Sequence, residues 1–344
     1  MPVPLSGRTF AITGGTGSFG QAMVGHLLRR GAAEVRVLSR DEAKQDTMRG
    51  RLRDDRVRYH VGDVRDLGSV LRATRGADFV FHAAALKQVP SCEFFPLEAL
   101  RTNVLGSANT VEACDRNGVG SLVLLSTDKA VHPVNAMGMT KGLMEKVAQA
   151  HARTATDSVT TVSCVRYGNV MYSRGSVIPL FVEQLRENRP LTVTDPAMTR
   201  FLMSLAESVE LVEQAFTGAA PGDIFIRKAS ACTIGDLAVA LGNLFGVVPE
   251  IEILGIRHGE KMDETLASRE ELRHARDLGA FLRVPLDTRG LNYAPYVDRG
   301  EPAPGPLRDF TSANAPRLGV PEIEALLLTL PEIRAELGEL VAAG

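Results

Sequence analysis

The chain has 344 residues, 44% apolar and 23% charged, with 39 Lys and Arg against 41 Asp and Glu. That length fits about two domains, or one large α/β unit with an appended part. Balanced charge argues against nucleic acid as a partner, since phosphate binding needs a clustered excess of Lys and Arg.

No apolar run reaches the length of a membrane span, so no membrane partner is expected, and Met1-Pro2-Val3-Pro4 does not begin a signal peptide. A cytoplasmic protein is therefore expected. Cys92, Cys114, Cys164 and Cys232 are widely spaced without a CxxC pair, and should be buried free thiols.

Thr9 to Thr13 is a short apolar run, followed at once by Gly14-Gly15-Thr16-Gly17-Ser18-Phe19-Gly20 and then by Ala22, Met23 and Leu27 at helical spacing. This is strand, glycine turn, helix. Gly14 and Gly17 let backbone approach a pyrophosphate, and Gly20 allows close helix–strand packing. The helix amino terminus, with Thr16, Ser18 and Phe19 around it, supplies free N–H groups. The second strand, Glu34 to Leu38, ends at Ser39-Arg40-Asp41. An NAD site usually carries an acidic residue there for the ribose hydroxyls. Ser39 and Arg40 instead offer a hydroxyl and a guanidinium to a 2'-phosphate, and Lys44, one helical turn on, can join Arg40. NADP is the expected cofactor.

A third strand, Val57 to Val61, leads to Asp63 and Val64, with Asp63 placed to accept from the adenine amino group and Asp66 able to cap the next helix. The fourth, Asp78 to His82, ends in Ala83-Ala84-Ala85, small enough for a dinucleotide to lie flat. Lys87 follows, and a helix from about Leu97 to Asn117 carries Asn103. Leu122 to Ser126 and Val159 to Arg166 are the fifth and sixth strands. Strands alternating with helices predict an α/β fold, a Rossmann-type doubly wound parallel sheet over residues 1–170.

Residues 126–141 lie between the fifth strand's carboxyl end and the next helix, where ligands bind in open α/β sheets. Asp128 and Lys129 are adjacent and opposite in charge. Close pairing can hold one as acid and the other as base if burial brings their pKa values together. Thr127 and Lys141 add a hydroxyl and an amine. Beyond Tyr167-Gly168-Asn169-Val170 the repeat breaks down. Residues 171–290 are expected to form a smaller substrate-binding domain, with Asp223 to Arg227 a candidate strand returning to the sheet. Residues 291–344 read as an arm rich in Pro and Gly, then a helix from about Pro321 to Val341.

Thr13 to Gly20, Ser126-Thr-Asp-Lys129 and Lys141 resemble the extended short-chain dehydrogenase/reductase family. Ser39 to Glu42, Ala85 to Pro90, Arg166 to Asn169, Ser173 to Ser176, Met198 to Phe201 and Arg257 to Lys261 are similar to blocks of the inverting UDP-N-acetylglucosamine 4,6-dehydratases of the soluble capsule type. The resemblance runs in order through nearly the whole chain.

It implies oxidation at sugar C4 by NADP, loss of the C5 proton, departure of the C6 hydroxyl as water, and return of the hydride to C6. The product would be a 4-keto-6-deoxy L-arabino sugar nucleotide for surface polysaccharide. It assigns elimination to Asp128 and Lys129, sets Lys141 and Tyr167 beside the cofactor, and suggests a homo-oligomer, a hexamer. In the superfamily Lys141 would follow a tyrosine four residues earlier. Met137 stands there instead, as in related capsule-type enzymes, and its thioether cannot accept a proton at neutral pH. Lys141 itself, Thr127 through water, or Asp128 could replace it, with Met137 packing against nicotinamide or sugar.

For UDP-N-acetylglucosamine, the resemblance points to Asn169, Arg174 and Arg257 at the diphosphate. It sets Thr199, Arg200 and Glu260 near the substrate, with Lys87 reaching sugar or cofactor. His82 and His132 have no metal-ligand partners at suitable spacing, so no metal is expected. Two rival readings are a UDP-sugar 4-epimerase and, given Met137, a catalytically silent nucleotide-binding protein.

Overall fold

A computed structural model describes residues 5–155, 157–173, 175–287 and 308–343. The first six strands are β1 (Thr9–Thr13), β2 (Glu34–Ser39), β3 (Val57–Val61), β4 (Phe79–His82), β5 (Ser121–Leu125) and β6 (Thr161–Arg166). They run parallel in the order 3-2-1-4-5-6. β5 is buried at every position, as a strand covered on both faces must be, which is why Ser-Leu-Val-Leu-Leu shows no alternation. The order reverses between β1 and β4, the kind of switch point at whose carboxyl ends open α/β sheets bind ligands.

Helices Ser18–Arg29 and Leu205–Gly218 bury Met23, Leu27, Val212 and Phe216 in the core on one face of the sheet. Gly106–Arg116 and Ala136–Thr154 bury Val111, Cys114 and Met144 on the other. The single helix expected over 97–117 is instead Pro96–Ala99, a π-helical turn at Leu100–Leu105, and Gly106–Arg116. The widened turn carries Asn103, whose side chain brackets the backbone of Leu86, accepting from its N–H (2.8 Å) and donating to its carbonyl (2.9 Å). Asn103 thus fixes the path of the chain just past Ala83–Ala85.

Past β6 come β7 (Asn169–Val170), β8 (Leu191–Val193), β9 (Thr199–Met203), β10 (Ile224–Arg227), β11 (Ala231–Thr233), β12 (Ile251–Ile253), β13 (Thr265–Ala267), β14 (Arg276–Asp277), β15 (Phe281–Val284) and β16 (Phe310–Thr311). β10 returns to the main sheet beside β6, and β15 and β14 then extend it antiparallel. Sequence reading did not foresee those last two, because four- and two-residue edge strands carry too little periodicity.

A third core gathers Phe181, Leu237, Leu241, Ile323 and Leu327 away from the sheet. The final helix is two, Val320–Leu327 and Pro331–Ala343, because Pro331 cannot continue a helix but suits the first turn of one. Of the expected arm, residues 291–307 lie outside the described residues. Phe310–Thr311 pairs with β13. All four cysteines are buried and unpaired.

Candidate active site at the carboxyl ends of β1, β4 and β5

Gly14 turns the chain out of β1 with φ +68°, and a Cβ there would fall 2.7 Å from the Ala84 nitrogen. A Cβ on Gly20 would lie 2.5 Å from Gly15 Cα, so the helix can approach the strand this closely only with glycine present. No side chain caps the helix at Gly17, which leaves its first N–H groups for an anion. These features fit a dinucleotide, with Ala83 and Ala84 held against Thr13 across the switch point.

Thr16 and Ser39 bond to each other through their hydroxyls (2.9 Å). Ser18 starts the helix, while Phe19 wedges edge-on between Phe81 and Tyr167. Val64 is buried against Gly106.

Arg40 has 54% of its side chain exposed and lies 3.5 Å from Asp63. Lys44 does not join it: the helix-capping carboxylate of Asp41 draws the ammonium to 2.5 Å. Asp63, expected to face adenine, accepts from Arg65 through Nε (2.9 Å), Nη2 (2.7 Å) and the backbone N–H (2.9 Å). Asp66 caps the helix Leu67–Thr74.

Beyond β5 the chain makes a single 3-10 turn, Asp128–Ala130. It presses onto the next helix at Gly138, where a Cβ would overlap the Lys129 carbonyl oxygen at 2.1 Å. Asn135 caps that helix through Gly138 N–H (2.8 Å) and donates to the Gly259 carbonyl (2.8 Å), tying the Arg257–Lys261 loop to the site.

Asp128 is buried, its side chain 1% exposed; Thr127 donates to its Oδ1 (2.8 Å), as does Lys129 Nζ (3.1 Å). Among the described residues, the other carboxylate oxygen of Asp128 has no hydrogen-bond partner. Lys129 Nζ also lies 3.1 Å from Oε1 of Glu264, an acidic residue just before β13 that is likewise buried and whose other oxygen has no partner among the described residues. Sequence reasoning missed Glu264. The available signal was an acid three residues past Lys261, just beyond the Arg257–Lys261 block.

Burial raises the pKa of Asp128, with Lys129 opposing and Glu264 reinforcing the rise. Burial opposes the charge on Lys129, but Asp128 and Glu264 outweigh it and hold the ammonium above its ordinary value. Burial likewise works against the charge on Glu264, yet Lys129 and Arg200 keep its pKa low. The sequence allowed for burial to bring the Asp128 and Lys129 values together. Instead burial, reinforced by Glu264, raises Asp128, while the two carboxylates raise Lys129.

Lys141 is buried, with Nζ donating to the Leu125 carbonyl (2.6 Å). Burial lowers its pKa to about 8, with Cys164 and Glu145 acting in the opposite direction. Met137 packs with Cys92 and Ala99 in a small apolar cluster. Tyr167 accepts the Asp128 N–H through its carbonyl (3.1 Å), and burial, then Asp128, raises the pKa of its phenol.

The residues expected at the substrate divide. Thr199 is turned inward, its hydroxyl donating to Asp263 (2.6 Å) and meeting Ser312 (2.6 Å), because a buried hydroxyl needs partners. Arg200 directs its donors to the carbonyls of Thr199, Met262 and Lys261 and sets Nε 4.0 Å from Glu264, so it braces the loop before β13. Arg257 is exposed, contacting Glu260 (3.5 Å) and Thr194 (3.3 Å). Asn169 has a buried side-chain amide oxygen with no partner among the described residues, and Lys87 is exposed beyond β4. Arg174 lies outside the described residues. His82 is enclosed by the hydroxyls of Thr13, Ser107 and Thr110, and His132 sits 3.3 Å from Asp309.

Fold and cradle together define an enzyme of the extended short-chain dehydrogenase/reductase class. The family model described as "Polysaccharide biosynthesis protein" matches residues 10–285, and its C-terminal companion matches 287–334. The chain belongs to this polysaccharide biosynthesis protein family.

It is 51% identical to a protein of Rickettsia akari named UDP-glucose 4-epimerase, over 96% of this chain and 98% of that one. The structure of Pen from Bacillus thuringiensis superposes with TM-score 0.85 at 34% identity, covering 95% of this chain and 100% of that one. DesIV of Streptomyces venezuelae, a dTDP-glucose 4,6-dehydratase solved with NAD and TYD bound, gives 0.67 at 25% identity over 74% of this chain and 86% of its own.

Proposed function

We propose that this protein is an NADP-dependent, C5-inverting UDP-N-acetylglucosamine 4,6-dehydratase of the cytoplasm. It would make UDP-2-acetamido-2,6-dideoxy-β-L-arabino-hex-4-ulose for surface polysaccharide, with residues 1–170 holding the cofactor and 171–290 the sugar nucleotide. The observation that carries this reading is the buried Asp128–Lys129 pair at the end of β5, with a carboxylate oxygen of Asp128 that has no partner among the described residues. Elimination needs an acid and a base side by side, whereas epimerisation at C4 needs neither at C5 and C6.

When bound, a nicotinamide would supply the reversible oxidation at C4 that acidifies the C5 hydrogen. Asp128, whose raised pKa favours keeping a proton, gives it to the departing C6 hydroxyl; Lys129 handles the proton at C5. Lys141 has the depressed pKa suited to taking the C4 hydroxyl proton in place of a tyrosine. Ser39 and the loosely held Arg40 favour NADP over NAD, because β2 ends without an acid for the ribose. Arg257, Glu260, Asn169, Arg174 and Lys87 are the proposed contacts to the sugar nucleotide. A homo-oligomer is supported by Leu97, Leu105, Met139 and Leu143, large apolar side chains exposed on adjoining elements.

The rickettsial relatives' name favours a second reading, a UDP-sugar 4-epimerase. Product from UDP-N-acetylglucosamine in deuterated water distinguishes them. Loss of one water with solvent deuterium at C5 supports dehydration, and unchanged mass with inverted C4 supports epimerisation. Proton couplings of the product report the configuration at C5.

A further inference from the structure

Inversion at C5 sets a condition that the Asp128–Lys129 pair does not meet alone. One group must take the C5 proton, and a different group must give one back from the other face. Lys129 is poorly suited to the second task. Two carboxylates at 3.1 Å hold its ammonium above the ordinary value, and it arrives on the same turn as Asp128.

A second lysine lies beside this turn. Lys261 is half-buried and donates through Nζ to the Val131 carbonyl (2.8 Å), and Val131 is the residue whose N–H closes the Asp128–Ala130 turn. Lys261 comes from the other half of the chain, in the loop before β13. That loop is fixed at three points. Asn135 donates to the Gly259 carbonyl (2.8 Å), Arg200 to the Lys261 carbonyl (2.9 Å), and the Thr199 N–H to the Met262 carbonyl (2.9 Å).

The Lys261 ammonium rests on a backbone carbonyl, where that of Lys129 rests on carboxylates. Burial lowers its pKa, Lys129 and Arg200 add to the effect, and Glu264 and Asp128 act in the opposite direction. Of the two lysines it is therefore the readier proton donor.

We propose that Lys261 returns the proton to C5 on the face opposite to the one from which the Asp128–Lys129 pair removes it, and so sets the configuration of the product. This rests on the dehydratase reading. The Nζ–H bond breaks as the new C5–H bond forms, with the electron pair coming from the substrate's C4–C5 enolate, and Lys261 is left as the neutral amine. Its half-buried side chain then regains a proton from water, so solvent hydrogen enters C5.

The experiment compares wild type, Lys261→Met and Lys261→Arg on UDP-N-acetylglucosamine carrying heavy oxygen at C6, in deuterated water. Met removes the amine. Arg keeps a cation that can reach the Val131 carbonyl but cannot give up a proton. In both variants, loss of the C6 label in a single turnover is expected within about threefold of wild type, while steady-state turnover falls ~100-fold. Proton couplings should show both C5 configurations in the variants' product, since water then protonates either face, and only the inverted one from wild type.

Purely inverted product at the wild-type rate from either variant overturns the proposal. So does failure of both variants to release the C6 label, which would make Lys261 a brace for the turn. A wild type that releases no water sinks the dehydratase reading and the proposal with it, and is recognised without either variant.

Discussion

Arg166 closes both arms of its guanidinium on Glu145, Nε to Oε1 at 2.7 Å and Nη2 to Oε2 at 2.5 Å, with both side chains almost wholly buried. Glu145 stands one helical turn beyond Lys141 and also receives the Ser126 hydroxyl (2.5 Å). The far edge of the same guanidinium holds Glu271 at 2.8 Å. One side chain at the end of β6 therefore locks the helix of Lys141 and the segment after β13 to the strand before Tyr167. Glu145→Ala leaves a buried cation with an incomplete partner set, and unfolding by guanidinium chloride should show a loss of about 3–5 kcal/mol. The pair Arg166→Met with Glu145→Leu should recover part of that stability while leaving turnover low, because the geometry at β6 depends on the clamp.

Lys129→Ala removes the amine without touching the glycine turn. Cofactor should copurify as in wild type while elimination is abolished, read as the absence of any dehydrated product by mass spectrometry. Water loss retained in this variant refutes the role given to Lys129.

Turnover should rise with pH through about 8 and then level, since Lys141 takes a proton only in its neutral form and burial lowers its pKa to that value. Lys141→Arg, which cannot be deprotonated, should lower turnover by ~100-fold or more and remove this limb. A limb at an unchanged position in the Arg variant would assign it to another group.

Arg40→Ala should weaken NADP binding by ~10- to 100-fold in a fluorescence titration and leave NAD binding within about twofold. On the proposed NADP reading, the contact removed would be a charge-assisted one to the 2'-phosphate, which NAD lacks. Equal losses for both cofactors would show that Arg40 supports only the β2 turn.

Leu97→Asp with Leu143→Asp should shift light-scattering mass from an oligomer toward the monomer, as charge on an apolar contact face must be desolvated before association. Wild type that is already monomeric removes that face from consideration.

Sequence alone settled what depends on neighbours along the chain. Glycines at 14, 17 and 20 between an apolar strand and a helix mark a tight strand–turn–helix, and an unbroken apolar run such as Ser121–Leu125 within the strand–helix alternation reads as a strand covered on both faces. Asp128 and Lys129 were legible as a pair because they are adjacent.

Tertiary structure decided the rest. It brought Glu264 to the other side of Lys129, turned Thr199 into the interior, turned Arg200 toward the loop before β13, gave Asp63 to Arg65, and extended the sheet with β15 and β14. Each of these follows from where a distant loop lands or which opposite charge lies within about 4 Å, and periodicity along a chain carries no information about either distance.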